Sequence, residues 1–206
     1  MLARSNSVQA DPAALDRLVH FVRDDLMDRF QEMPGFVGIS VLVDRNEGRG
    51  ITTTAWESLE AMRASEERAG TARKEALAMT GSDKVQVEEW EVSLLHRMHE
   101  TGDGACARVV RAHGERGMEQ ALDAFRSMVL PALEGMPGFC SVSLLTDRAD
   151  GRVVACTVYE SREAMSANGG TAADLRERFG AATGMTVDDV ATFEVAVAHL
   201  RVPETV

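Results

Sequence analysis

Met33-Pro34-Gly35-Phe36 and Met136-Pro137-Gly138-Phe139 are one word written twice, and the reading of the chain follows from it. Sliding residues 33–96 against 136–199 without a gap leaves about 26 of 64 positions identical, far beyond what unrelated sequences give. Other words recur at the same shift. Asp44-Arg45 returns as Asp147-Arg148, and Trp56-Glu57-Ser58-Leu59-Glu60-Ala61-Met62 as Tyr159-Glu160-Ser161-Arg162-Glu163-Ala164-Met165. Each copy has the size of a small domain and is too long for a solenoid unit. The chain therefore reads as a fused pair, residues 1–99 and 104–206, joined by the Gly-rich linker His99-Glu100-Thr101-Gly102-Asp103-Gly104.

Within each copy the order is strand, helix, two strands, helix, strand. Residues 2–9 alternate weakly as a strand, and Asp11-Pro12 then offers an N-cap followed by an N1 proline. Leu15, Leu18, Val19, Val22, Leu26 and Phe30 fall at spacings of three and four, and Met118 to Leu133 repeat that stripe. Pro131 should kink or shorten the second copy's helix. Pro34-Gly35 and Pro137-Gly138 turn the chain into Phe36–Val43 and Phe139–Thr146, where Val37, Ile39, Val41 and Val43 share one face and Gly38 and Ser40 the other. Asn46-Glu47-Gly48 and Ala149-Asp150-Gly151 read as hairpin turns. A second helix should start near Ser58 or Ser161 and stop at Gly81 or Gly184, and Asn168-Gly169-Gly170-Thr171 should break it with a loop in the second copy alone.

The expected fold class is α+β: two ferredoxin-like βαββαβ repeats forming a pseudo-dimeric α+β barrel in one chain. Strands two and three carry apolar residues on both faces, so the face without helices needs cover. The other copy's sheet is the expected cover.

Composition bounds the function. A formal charge of −11, from 33 acidic and 22 basic side chains, repels a phosphate backbone and argues against nucleic-acid binding. No apolar run approaches the roughly 18 residues of a spanning helix and no secretory leader is evident, so a cytoplasmic protein with no membrane partner is expected. Cys106, Cys140 and Cys156 match no metal spacing and read as small buried apolar residues. There is no Walker loop, dinucleotide fingerprint or nucleophile elbow, so no cofactor and no metal are expected.

A Pro-Gly-Phe turn after an amphipathic helix, a hairpin, and a Trp-Glu-Ser-x-Glu-Ala segment opening the next helix resemble the antibiotic biosynthesis monooxygenase (ABM) domain. The resemblance covers nearly the whole chain. It implies the dimeric α+β barrel, normally made from two chains, and a shortlist of activities: cofactor-free oxidation of phenols to quinones, haem degradation, isomerase-like chemistry, or no defined reaction. Haem degradation is disfavoured, because the positions where such members carry a second Trp and a haem-ligating His hold Ser65 and Lys74 in the first copy, Asn168 and Glu177 in the second.

Six residues stand as site candidates. The resemblance implies a cavity-facing asparagine in the first strand, which is Asn6; its partner at the constant shift is Val109, so one competent cavity, in the first copy, is expected. Trp56 and Tyr159 end matched strands, where an amphipathic ring fits a pocket mouth as well as a packing corner. His96, matched by His199, is a candidate general base. Arg23 is a candidate to orient a phenolate, and Ser40 lies on the small-residue face of strand two. With Asn6, Trp56 and His96 as catalytic candidates and Arg23, Ser40 and Tyr159 as substrate-binding ones, the reading is a cofactor-independent monooxygenase acting on a small flat aromatic or phenolic substrate. The alternative is a non-catalytic, ligand-binding or stress-associated barrel. The expected partners are a small apolar or aromatic molecule and the other half of the same chain, a further homodimer being left open.

Overall fold

The computed structural model describes residues 1–82, 84–114 and 117–200. Residues 201–206, which belong to the expected second repeat, lie outside the described residues. The chain is α+β and forms two compact units, one holding Met1–Glu91 with the chain from Glu194, the other Val92–Phe193.

The first repeat runs β1 (Leu2–Gln9), α1 (Pro12–Phe21), a π turn (Val22–Leu26), α2 (Met27–Gln31), β2 (Phe36–Asp44), β3 (Arg49–Trp56), α3 (Leu59–Ala64), α4 (Glu66–Thr80) and β4 (Val85–Arg97). The second runs β5 (Cys106–His113), α5 (Met118–Ala124), a π turn (Phe125–Val129), α6 (Leu130–Glu134), β6 (Phe139–Asp147), β7 (Arg152–Tyr159), α7 (Arg162–Ala167), α8 (Gly169–Thr183) and β8 (Thr186–Leu200). Hydrogen-bonded neighbours follow the order β1-β3-β2-β8-β5-β7-β6-β4 in a closed barrel. This is the expected βαββαβ order, with both helices of each copy divided in two.

The longest strands, β4 and β8, do not respect the repeat boundary. Leu2–Val8 of β1 pair with Val85–Glu91 of β4, and Gly38–Val43 of β2 pair with Glu194–Leu200 of β8, all inside the first unit. That unit therefore takes one edge strand from the end of the second repeat.

The recurring words have physical jobs. Gly35 holds φ +74°, and a Cβ there would lie 2.6 Å from the Cβ of Ala61; Gly138, also at +74°, would meet Ala164 at 2.6 Å. The Gly35 carbonyl accepts from the Glu57 amide at 2.9 Å, and Gly138 from Glu160 at 2.8 Å. Pro-Gly-Phe and Glu-Ser-x-Glu-Ala are thus two halves of one contact, which only glycine allows. Ser58 and Ser161 cap the following helices by accepting from the amides of Ala61 and Ala164, each at 3.1 Å. Asp44 Oδ1 accepts from the amides of Asn46 and Glu47 while its Oδ2 takes Arg49; Asp147 repeats the arrangement with Ala149, Asp150 and Arg152. Both carboxyls are held below the usual range. At Asp44 burial pushes upward and the hydrogen bonds outweigh it, whereas at Asp147 the Arg152 bond is itself the largest effect.

Two helix expectations need correction. The π turn at Phe125–Val129 has a twin at Val22–Leu26, where there is no proline, so Pro131 does not cause the irregularity; it takes the second position of α6, in the first turn, where its missing N–H is tolerated. The break at Asn168 is likewise not confined to the second copy, since the first breaks at Ser65, and Gly169-Gly170 begin α8 instead of forming a loop. Asn168 secures its break by donating to the carbonyls of Pro137 and Ala164 at 2.9 and 2.8 Å.

Each unit buries its helical stripe against the sheet. In the first, Leu15, Leu18, Val22, Leu26 and Phe30 meet Ile39, Val41, Val43 and Trp56; in the second, Leu122, Phe125, Val129 and Leu133 meet Val142, Leu144 and Tyr159. A bulge between Phe36 and Gly38 sends both Phe36 and Ile39 to the core face, against simple alternation.

Candidate functional site

Each unit holds a part-open cavity lined by its strands and by the helices packed on them. That of the first has a volume of about 50 Å3 and is lined by Arg4, Asn6, Leu18, Thr52, Thr54 and Arg73 among others. That of the second is larger, about 90 Å3, with Arg108, Val110, Phe125, Ala155, Tyr159 and Arg176 in its walls.

Strand pairing shows which residues correspond. Leu2 faces Trp56 and Cys106 faces Tyr159, so Asn6, opposite Thr52, corresponds to Val110, opposite Ala155. The pairing of Asn6 with Val109 is therefore corrected by one residue: Gln9 and Leu15 are six positions apart, whereas their counterparts His113 and Met118 are five apart, which hides the match from an ungapped comparison. The same correction brings Arg4 onto Arg108. Arg73 and Arg176 already match in the repeat, so both cavities hold the same two arginines.

In the first cavity the arginines are neutralised. Arg4 is 1% exposed; its Nη2 lies 2.8 Å from Glu66 Oε2 and 3.0 Å from Glu89 Oε1, and it also donates to Ser65 Oγ and the Met62 carbonyl, each at 3.4 Å. Arg73 pairs with Glu66. Asn6 Oδ1 is buried with no partner among the described residues.

The second cavity keeps the arginines and loses the acids. Gly169 and Thr192 stand where the first copy has Glu66 and Glu89. Arg108 Nη2 donates to the Met165 carbonyl at 3.0 Å, repeating the Arg4 to Met62 bond, and its guanidinium lies over the Tyr159 ring at 5.8 Å from the centroid. Arg108 Nη1 is buried without a partner among the described residues. Burial, and then the charge of Arg108, hold Arg176 below its ordinary value. The phenol of Tyr159 is pushed up by burial, against the pull of both arginines, and its hydroxyl lies 3.4 Å from Met136 Sδ.

The six sequence candidates do not form one site. Asn6 lines the first cavity and Tyr159 the second. Trp56 is wholly buried among Phe30 and Phe36, and its Nε1 donates to Thr54 Oγ1 at 3.2 Å; it supports the cavity wall from within the core. His96 belongs to the second unit and Asn6 to the first, because β4 has passed from one to the other by then. It stacks on Phe139, with Nε2 3.0 Å from Glu134 Oε1 but not aligned for a hydrogen bond. Arg23 is exposed and donates to the Ala196 carbonyl at 2.9 Å, since the π turn carries it off the apolar stripe. Ser40 faces away from the cavity that its neighbour Ile39 lines. Arg4 and Arg108 were missed; the signal was the Ala-Arg pair shared by both first strands.

Among the described residues, no three His, Cys, Asp or Glu side chains cluster as a metal site requires. Cys106 and Cys140 are buried; Cys156 is half-buried as a residue, yet burial of its thiol pushes it up to about 12.

A family model described as antibiotic biosynthesis monooxygenase matches residues 108–173. The chain is 46% identical to the uncharacterized protein Rv2558 of Mycobacterium tuberculosis over 99% of its own length and 87% of the relative's. Among solved structures, a putative monooxygenase from Lactobacillus acidophilus NCFM aligns with a TM-score of 0.71 at 12% identity, covering 97% of this chain and 96% of that one. An anthrone oxidase-like protein aligns with a TM-score of 0.66 at 17% identity over 97% and 93%. At these identities the two structures speak for the fold.

Proposed function

The chain belongs to the antibiotic biosynthesis monooxygenase family, and from that premise we propose that its second unit oxidises a small phenol with molecular oxygen. The observation that carries this reading is the Arg108, Tyr159 and Arg176 group set in apolar walls. The two arginines pull a bound phenol toward its phenolate, against the burial that keeps Tyr159 protonated, and the phenolate is the form electron-rich enough to give electrons to oxygen directly. The balance needs no other reductant: a phenol and O2 yield a quinone and water, one oxygen atom entering the ring and the other leaving with the ring C–H and O–H hydrogens. The arginines bind and orient the oxyanion, and the Phe125, Val110 and Ala155 walls keep bulk water from it.

Cavity size limits the substrate. About 90 Å3 is less than the roughly 150 Å3 that accommodates benzene in an apolar core, so a single ring already fills the cavity toward its open mouth and modest side-chain movement accompanies entry. Asn6 has the weaker claim, because its cavity is smaller and its arginines are already paired. Oxygen uptake across a panel of single-ring phenols and quinols tests the proposal. The expected result is turnover that falls at least tenfold in Arg108→Gln and is kept in Asn6→Ala. No uptake above the blank for any member would leave the ligand-binding reading in its place.

A further inference from the structure

The two cavities differ in one electrostatic respect, and the difference specifies a ligand. Arg4 and Arg108 occupy the same place and make the same bond, to Met62 and Met165 respectively. Around Arg4 the chain supplies two carboxylates, Glu66 at 2.8 Å and Glu89 at 3.0 Å. Around Arg108 it supplies none among the described residues, and a Cβ built on Gly169 would stand 4.0 Å from Arg108 Nη2, with nothing else within 4 Å. The space that the Glu66 side chain fills in one unit is thus vacant beside Arg108 in the other, within reach of a cavity that also contains Arg176. Arg108 and Arg176 are part-buried, and one buried donor of Arg108 has no partner among the described residues, so an anion beside them gains charge-assisted hydrogen bonds that the chain does not supply.

We infer that the second unit binds a small carboxylic acid, its carboxylate taking beside Arg108 and Arg176 the position that Glu66 takes beside Arg4, and its apolar body of at most one ring lying against Phe125, Val129 and Ala155. The first unit is the same site closed by its own side chains, and each chain therefore binds one ligand. The inference deepens the proposed function, since it makes the substrate class a phenol that also carries a carboxylate, and it rests on that reading only for the chemistry that follows binding.

Benzoate is the probe, because it carries the carboxylate and has no hydroxyl to oxidise. Titration calorimetry of the full chain at pH 7 is expected to give one site, with benzoate binding at least tenfold more tightly than phenol. Arg176→Gln and Gly169→Glu should each weaken benzoate at least tenfold, the second by restoring the internal carboxylate without removing any native side chain. The double variant Glu66→Gly/Glu89→Thr, titrated in the cold, should bind two benzoates per chain. Equal affinity for phenol and benzoate, or full affinity in Gly169→Glu, overturns the inference. Benzoate binding without oxygen uptake on any phenol leaves it standing and removes the monooxygenase proposal; phenol turnover that benzoate does not inhibit does the reverse.

Discussion

Replacing Arg4 with methionine should cost far less than removing the acids around it. The guanidinium is 1% exposed, which suggests a severe penalty, but each group it touches has another partner. Ser65 Oγ donates to the Met62 carbonyl at 2.7 Å in any case, Glu89 also pairs with Arg63 at 3.2 Å, and Glu66 also pairs with Arg73. The two carboxylates are 34% and 52% exposed, so water takes over what Arg4 leaves. Methionine keeps the aliphatic volume, and the loss is that of solvent-screened charge-assisted bonds, about 1–2 kcal/mol. Glu66→Gln/Glu89→Gln is the opposite case: it strands a buried cation, for which about 3–5 kcal/mol is expected. At about 2–4 °C per kcal/mol for a chain of this size, the first variant should melt roughly 2–8 °C and the second roughly 6–20 °C below the parent. Circular-dichroism melts measure the order. Hydrogen exchange at the β1 amides assigns the loss to the first unit, since two units need not unfold together. An Arg4→Met variant that melts with or below the double variant would refute the compensation argument.

Gly35→Ala should destabilise by about 1–3 kcal/mol, because it combines a left-handed backbone with a 2.6 Å approach to Ala61, and the melt of Gly138→Ala should match it. Asp147→Asn should cost about 1 kcal/mol at pH 7. The carboxyl is depressed in the folded state, so its stabilisation is full above the ordinary Asp value and disappears as pH falls through the folded one. Urea midpoints of parent and variant should therefore converge toward pH 3 and diverge by pH 6. Dithionitrobenzoate should label the native thiols slowly at pH 8, since burial keeps Cys140 and Cys156 protonated, and stoichiometric labelling within seconds would contradict their placement. Residues 1–101 expressed alone should associate, because β2 lacks the Glu194–Leu200 segment that pairs with it; a stable half-length monomer in sedimentation would count against that pairing.

The fold was legible because contact and word coincide. Gly35 touches Ala61 and Gly138 touches Ala164, so the pressure that keeps one word keeps its partner, and the repeat shows through without a gap. Asp44 and Asp147 are similarly tied to their own turns. The site was less legible for two reasons. One residue fewer between the first strand and the matched helix stripe displaced Arg108 from its match to Arg4, and the polar asymmetry lies not at Asn6 but at Glu66 and Glu89 against Gly169 and Thr192. Those pairs differ at the repeat's own shift, but nothing in the sequence says that they stand beside a first-strand arginine. His96 misled because β4 is long: a residue near its end belongs to a different unit from one near its start.

The sharing of β8 sets an order of events during synthesis. Ribosomes extend the chain at about 5–20 residues per second, so every helix and strand of the first repeat has emerged seconds before Glu194–Leu200 exist. The earliest-made unit is the last to be finished, and its β2 edge must stay unclaimed while the whole second repeat is translated. Closure then waits on one of the longest-range pairings in the molecule, the slow kind. A frameshift or stop ahead of Glu194 would accordingly do its damage in the unit that the first repeat begins.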